Sequence, residues 1–161
     1  PCCYPESPLN SADVEAFPSP MTPGTPAKDA PIATPEGPGW LLHELGSHFH
    51  LLLDAQVDTH AAERLAGELG ALLQAQDDLR LLLLGPAPQA LLQLPRARVI
   101  EDPEGLVRER YGLAPGNAYL FRPDQHVCAR WHRPGRQEVQ TALARALGFH
   151  LTPQEAVHAQ A

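Results

Sequence analysis

The sequence predicts an α/β fold: a mixed β-sheet with helices on both faces, preceded by a proline-rich extended arm. Three observations carry this expectation. Two almost wholly apolar runs, 49–53 and 79–84, have the length of strands buried on both faces. Stretches of helical periodicity lie between and after the strand-like runs. Prolines recur from Pro5 to Pro38, a spacing that excludes helices and central strands.

Within the arm, residues 1–38, the side chains of Tyr4, Leu9, Val14, Phe17 and Ile32 are apolar anchors, so the arm is expected to lie along a folded surface. The pattern changes at Trp40. Residues 40–45 form a short apolar segment closed by Gly46, and the first strand follows at 49–53. Asp58 or Thr59 can cap the next helix, whose positions Ala61, Ala62, Leu65, Leu69, Leu72 and Leu73 share one face. A second strand at 79–84 stops at Gly85-Pro86. A short helix is expected within 87–94 and a third strand from Arg98. Asp102 is placed to cap a helix with Pro103 at its first position, presenting Leu106, Val107, Arg110 and Tyr111 inward. The runs 118–122 and 127–131 flank Pro123-Asp124-Gln125-His126 and predict a hairpin. Val139, Ala142, Leu143, Ala146 and Leu147 predict a last helix, ended by Gly148.

A βαβ unit followed by a hairpin and a terminal helix resembles the thioredoxin-like layout, with a right-handed crossover in its parallel part. The expected organisation is an arm (1–38), a thioredoxin-like domain (39–150) and a tail (151–161). At 161 residues, such a chain can bury a full core without metal or disulfide staples. The net charge of −7, with no run of Lys or Arg, argues against nucleic acid as a partner. No apolar stretch approaches a membrane span, and the first residues lack the basic and apolar regions of a secretory signal. Cys2, Cys3 and Cys128 are an odd count without disulfide spacing, which points to reduced thiols in a cytoplasmic protein.

Thioredoxin-type redox chemistry needs a thiolate between the first buried strand and the following helix, where the helix N-terminus lowers its pKa. The junction here reads Asp54-Ala55-Gln56-Val57-Asp58-Thr59 and holds no Cys, and no C-x-x-C occurs anywhere. Cys128 is expected to be a small buried strand residue. The adjacent Cys2-Cys3 pair leaves one redox alternative open. His48 and His50 share a strand face with His43 nearby, a spacing open to zinc or copper, yet no Cys or acid falls at a matching spacing. Asp77-Asp78 and Glu101-Asp102 have structural explanations as loop and cap. No G-x-G-x-x-G follows a strand, so no dinucleotide fingerprint is present. The residues thus name no catalytic, cofactor-binding or metal-ligating group.

Three stretches resemble the C-terminal region of class A flavoprotein aromatic hydroxylases, the phenol hydroxylase and 3-(3-hydroxyphenyl)propionate hydroxylase group. They are Tyr4-Pro5-Glu6-Ser7-Pro8-Leu9-Asn10 with the Pro-rich 23–31, Gly39-Trp40-Leu41-Leu42-His43-Glu44-Leu45-Gly46, and the hairpin from Ala118 to Trp131 with its Arg122-Pro123-Asp124 turn. Gln125 stands where that hairpin usually carries Gly, which implies a different turn type. The resemblance implies a thioredoxin-like domain without redox cysteines, with FAD, NAD(P)H and the phenolic substrate bound elsewhere in the parent polypeptide. Its implied partners are the FAD and substrate domains and a second copy in a homodimer. Tyr4, Phe17 and Trp40 are candidates for the apolar contact surface, with packing of the arm on its own domain as the alternative. Arg122, Asp124 and Arg130 are expected to tie the hairpin by exposed ion pairs, and Trp131 joins them as an interaction candidate.

Overall fold

The computed structural model describes residues 8–13 and 15–148. Tyr4, Cys2, Cys3, Val14 and the expected tail at 151–161 lie outside the described residues. The centre of the fold is β3 (Phe49–Asp54), buried along its whole length. It pairs in parallel with β4 (Leu79–Leu84) and antiparallel with β6 (Ala118–Phe121), so that Leu51 sits opposite Leu81 and Leu120. β5 (Ala97–Ile100) extends the parallel side, and β7 (Val127–Trp131) extends the antiparallel side. The resulting sheet has the order β5-β4-β3-β6-β7, the expected mixed sheet.

A strand buried on both faces demands a layer on each. One layer is made by α2 (Thr59–Ala75) and α5 (Arg136–Ala146), which bury Ala62, Leu65, Leu69, Leu73, Val139, Ala142 and Leu143 against Phe49, Leu51 and Leu53. Asp58 caps α2, its Oδ1 accepting from the Ala61 amide at 2.8 Å. The short α3 (Gln89–Leu92) adds Leu91 to this core.

The opposite layer departs from expectation. Its core joins Leu52, Leu82 and Tyr119 of the sheet to Val107 and Tyr111 of α4 (Leu106–Tyr111). The remainder comes largely from the N-terminal third: Met21, Ala30, Ile32, Leu41 and Leu45. Residues read as arm fold into a hairpin of β1 (Pro31–Thr34) and β2 (Gly37–Trp40), followed at once by α1 (Leu41–Glu44). The expected junction between residues 38 and 39 falls inside this hairpin. Prolines are tolerated because the hairpin is a separate two-stranded sheet, and Ala33, opposite Pro38, directs its backbone groups to Glu101 instead.

Two local expectations need correction. Helix α4 starts at Leu106 rather than Pro103, because Gly105 at φ +70° interrupts the chain between them. Asp102 still serves as the cap at a distance, its Oδ1 and Oδ2 accepting from the amides of Val107 (3.1 Å) and Arg108 (3.0 Å). In the β6–β7 turn, Gln125 itself adopts φ +65°, the left-handed conformation that a Gly would take freely. Its side chain offsets the strain: Nε2 donates to the carbonyls of Leu42 at 2.8 Å and Leu45 at 3.1 Å.

The outer edge of β7 is closed by the arm. The Ser11 amide donates to the Cys128 carbonyl (3.0 Å), Gly24 to Val127 (2.8 Å), and Val127 in turn to Thr25 (2.8 Å). On the far side, Ala33 and Glu101 exchange two backbone bonds just beyond β5. The β7 edge is thereby protected from pairing with foreign strands, and the β5 side is capped at its end. Replacement of the fully buried Leu51 by Ala is expected to cost about 2–5 kcal/mol, measured by urea unfolding.

Candidate functional site

The place where a thioredoxin-like fold would perform thiol chemistry is the end of β3 and the start of α2. Two carboxylates hold it. Asp58 binds an amide of the first turn of α2, the position a thiolate would need. Asp54 is fully buried and receives the Arg108 guanidinium from α4, Nε to Oδ2 at 3.0 Å and NH2 to Oδ1 at 3.4 Å. The same guanidinium donates to the Gly85 carbonyl (3.2 Å) and approaches Asp102 at 3.7 Å. The backbone of Asp54 is also held, its amide on the Asn117 carbonyl and its carbonyl on the Gly116 amide, each at 2.9 Å. The Asp54 carboxylate and backbone are fully engaged in this way, and the arrangement ties β3, β4 and α4 together. The signal in the sequence was a single acid ending an apolar strand; Arg108, 54 residues away, carried none.

Cys128 sits in the β6–β7 irregularity, buried between arm and α5, with Sγ 3.8 Å from the Leu9 carbonyl and 3.9 Å from that of Ala142. Burial pushes its thiol up to about 12, which removes the nucleophilic thiolate at neutral pH. It is therefore the small core residue expected. Iodoacetamide at pH 8 should label Cys128 on the order of 100-fold more slowly in the native protein than in urea, read by peptide mass spectrometry.

The histidines are bound into the sheet end. His48 Nδ1 donates to Asp78 Oδ1 at 2.7 Å, and its Nε2 faces an Arg80 nitrogen at 3.4 Å. A guanidinium at the second nitrogen opposes any metal cation there. His50 is buried and holds the His48 carbonyl at 3.1 Å through Nδ1. Among the described residues no His, Cys, Asp and Glu group has metal-site geometry. Burial, aided by the neighbouring His48 and Arg80, lowers the His50 pKa below the usual imidazole value, against the opposing pull of the His48 carbonyl and Glu44. The folded state thus favours neutral His50, while the unfolded chain takes up a proton near pH ~6.5. Stability from this group is complete above that pH and declines as pH falls below it. Urea unfolding at pH 7 and pH 5 should show this decline, and His50→Gln should flatten it.

The interaction candidates fall into two places. Trp40, at the end of β2, is 49% exposed. Arg98 of β5 holds Glu36 (2.6 Å) and Glu44 (3.0 Å), which flank β2 in the chain. The others gather where the arm crosses β7. Arg122 grips Asp124 with both ends of its fork, Nε to Oδ1 at 3.1 Å and NH2 to Oδ2 at 2.7 Å, holding that carboxyl below its usual range. A third Arg122 bond reaches Asn10 in the arm at 3.2 Å. Arg130 takes its partner from the arm rather than from the hairpin: Asp13, at 2.8 and 2.7 Å. These arginine side chains are only 8% and 4% exposed, while the Asp124 carboxylate is 55% exposed, so each pair is covered on its arginine side. Phe17 is half-buried, stacked on His132 at 4.4 Å and set edge-on to Tyr119, with the Arg130 guanidinium over its ring. Trp131 is buried in the first core. Sequence reasoning missed Asn10, Asp13, Glu15 and His132, whose contacts cross more than 110 residues.

An apolar groove of about 390 Å³ opens next to this crossing, lined by Leu9, Phe49, Pro123, Ala146 and Leu147 with Arg122 and Asp124 at its rim. No helix among the described residues is long and apolar enough to cross a membrane.

No family model matches the chain, and no curated protein does. Solved structures do. Aklavinone-11 hydroxylase, determined as a ternary complex with FAD and aklavinone, matches 88% of this chain at 22% identity and TM-score 0.61. The flavin-dependent monooxygenase PieE, determined with FAD and substrate, matches 87% at 22% identity and TM-score 0.58. This chain spans only about a quarter of either protein, 25% and 23% of their lengths. A thiol peroxidase from Chromobacterium violaceum matches 84% of the chain and 91% of its own length, at 15% identity and TM-score 0.60. These likenesses establish the thioredoxin-like fold.

Proposed function

We propose that this chain is the non-catalytic C-terminal module of an FAD- and NAD(P)H-dependent aromatic hydroxylase. In this reading it acts in the cytoplasm. It supports the flavin and substrate domains of the parent polypeptide and contributes to contacts between two copies. The observation that carries the reading is the junction after β3. Asp58 fills the helix N-terminus and Arg108 is committed to Asp54, so a thioredoxin-like frame is retained with its chemical position used for structure. The fold match to an FAD-bound hydroxylase and a flavin-dependent monooxygenase, at about a quarter of their length, supports the same reading. So do the Arg122-Pro123-Asp124 hairpin and the Pro-rich approach to it.

A second reading is favoured by the thiol peroxidase match, which spans nearly the whole of that protein. It makes the chain a free-standing thioredoxin-like protein that acts in binding, or in thiol redox through Cys2 and Cys3.

An immunoblot of source cells with an antibody against this domain separates the two. The hydroxylase module should appear as a band several times heavier than 17.5 kDa. A band at 17.5 kDa would sink that reading and support the second. Insulin reduction by the chain and by its Cys2→Ser/Cys3→Ser variant would then decide whether the thiols act.

A further inference from the structure

The N-terminal segment is held to the sheet in two different ways. From Met21 onward it is anchored by burial: Met21, Pro23, Gly24 and Ala30 are buried, and Lys28 exchanges two bonds with the Tyr111 hydroxyl at 2.7 and 2.6 Å. Upstream of Ser19 no apolar side chain among the described residues is fully buried: Leu9 and Phe17 are partly covered, and the rest of the attachment is polar. Asn10 meets Arg122, the Ser11 amide meets the Cys128 carbonyl, and Asp13 meets Arg130. Glu15 accepts from the His132 amide at 2.6 Å, and the Ala16 carbonyl from His132 Nε2 at 2.6 Å. Phe17 is the aromatic of this stretch, and it is half-buried.

Between the two regimes stands Pro18-Ser19-Pro20. Ser19 is pinned at both ends, its hydroxyl donating to the Arg110 carbonyl (2.6 Å) and its own carbonyl accepting from Arg130 (3.0 Å). Pro18 lies against Gly112, where even a Cβ would come within 3.0 Å of its carbonyl. The prolines fix φ on either side of Ser19, which makes a stiff pivot. Segments with few buried apolar contacts and many polar ones open locally, at a smaller cost than the core.

We propose that residues 9–13 and 15–17 are a strap that leaves β7 as one unit while the sheet stays folded. The seat it uncovers then accepts an extended, carboxylate-bearing segment of another chain. The seat's chemistry is written by its present occupant. The Arg130 fork takes a carboxylate, the His132 amide takes a second, and an aromatic ring fits between His132 and Tyr119. The strap itself competes for this seat at the high effective concentration of a tethered ligand, so an outside segment enters only when the strap is weakened or drawn away. This device does not depend on the hydroxylase reading, because all its parts lie in the described chain.

The test uses the full 161-residue chain and its Asp13→Lys variant, which sets a cation against Arg130, with Asp13→Asn as the milder second variant. Amide hydrogen exchange should speed up by about 10-fold or more at Ser11 in both variants, with Leu51 and Leu83 unchanged. A fluorescein-labelled peptide of residues 8–20 should bind the Asp13→Lys chain at least about 10-fold more tightly than the wild-type chain, and further change of Arg130 to Gln should remove that gain. Unchanged exchange at Ser11, or equal loosening at Leu51 and Leu83, overturns the separate strap. Faster exchange at Ser11 without the difference in peptide affinity overturns the seat as a receptor.

Discussion

The burial of β3 on both faces is the constraint from which the rest of the structure follows. A six-residue strand with no exposed position has to be covered twice, and the two covers have different origins. One is a pair of amphipathic helices, α2 and α5, whose apolar stripes meet Phe49, Leu51 and Leu53. The other is assembled piecemeal around Leu52, Leu82 and Tyr119, from one short helix and from the chain between Met21 and Leu45. Without that N-terminal stretch, the aromatic group of Tyr111, Tyr119 and Phe121 would face water on one side.

The polar contacts serve the same constraint. Arg130 projects from the antiparallel edge strand and is almost completely covered, a situation that is costly for a lone charge and tolerable for one with a bidentate carboxylate. Asp13 supplies that carboxylate and Tyr119 adds a hydroxyl at 3.3 Å. In the central strand Asp54 is the buried ion and Arg108 the partner. Each pair joins an element of the sheet to one that covers it.

The central frame could be read from the sequence because its signals are local. Continuous apolar runs of strand length marked β3 and β4, helical spacing marked α2 and α5, and the turn residues marked the β6–β7 hairpin. What escaped was non-local or conformational. Asp13 and Arg130 are separated by 117 positions, and nothing near either residue announces the other. The β1–β2 hairpin was hidden because Pro35-Glu36-Gly37-Pro38 reads as linker until its partner strand is known. The late start of α4 turned on the backbone of Gly105, and the β6–β7 turn on a glutamine whose strain is offset from 80 or more residues away. At the candidate site the missing thiol was plain from composition, whereas the carboxylate–guanidinium pair that holds the junction was not.

The contribution of Met21, Ile32 and Leu41 to the second core has a consequence for inheritance. A recombination event that moved only the five-stranded sheet and its helices onto another protein would carry an uncovered face with it. The segment that can be shuffled between genes as a working whole therefore begins no later than Met21. Residues 21–45 and the sheet they cover must be passed on together, as a single unit of exchange.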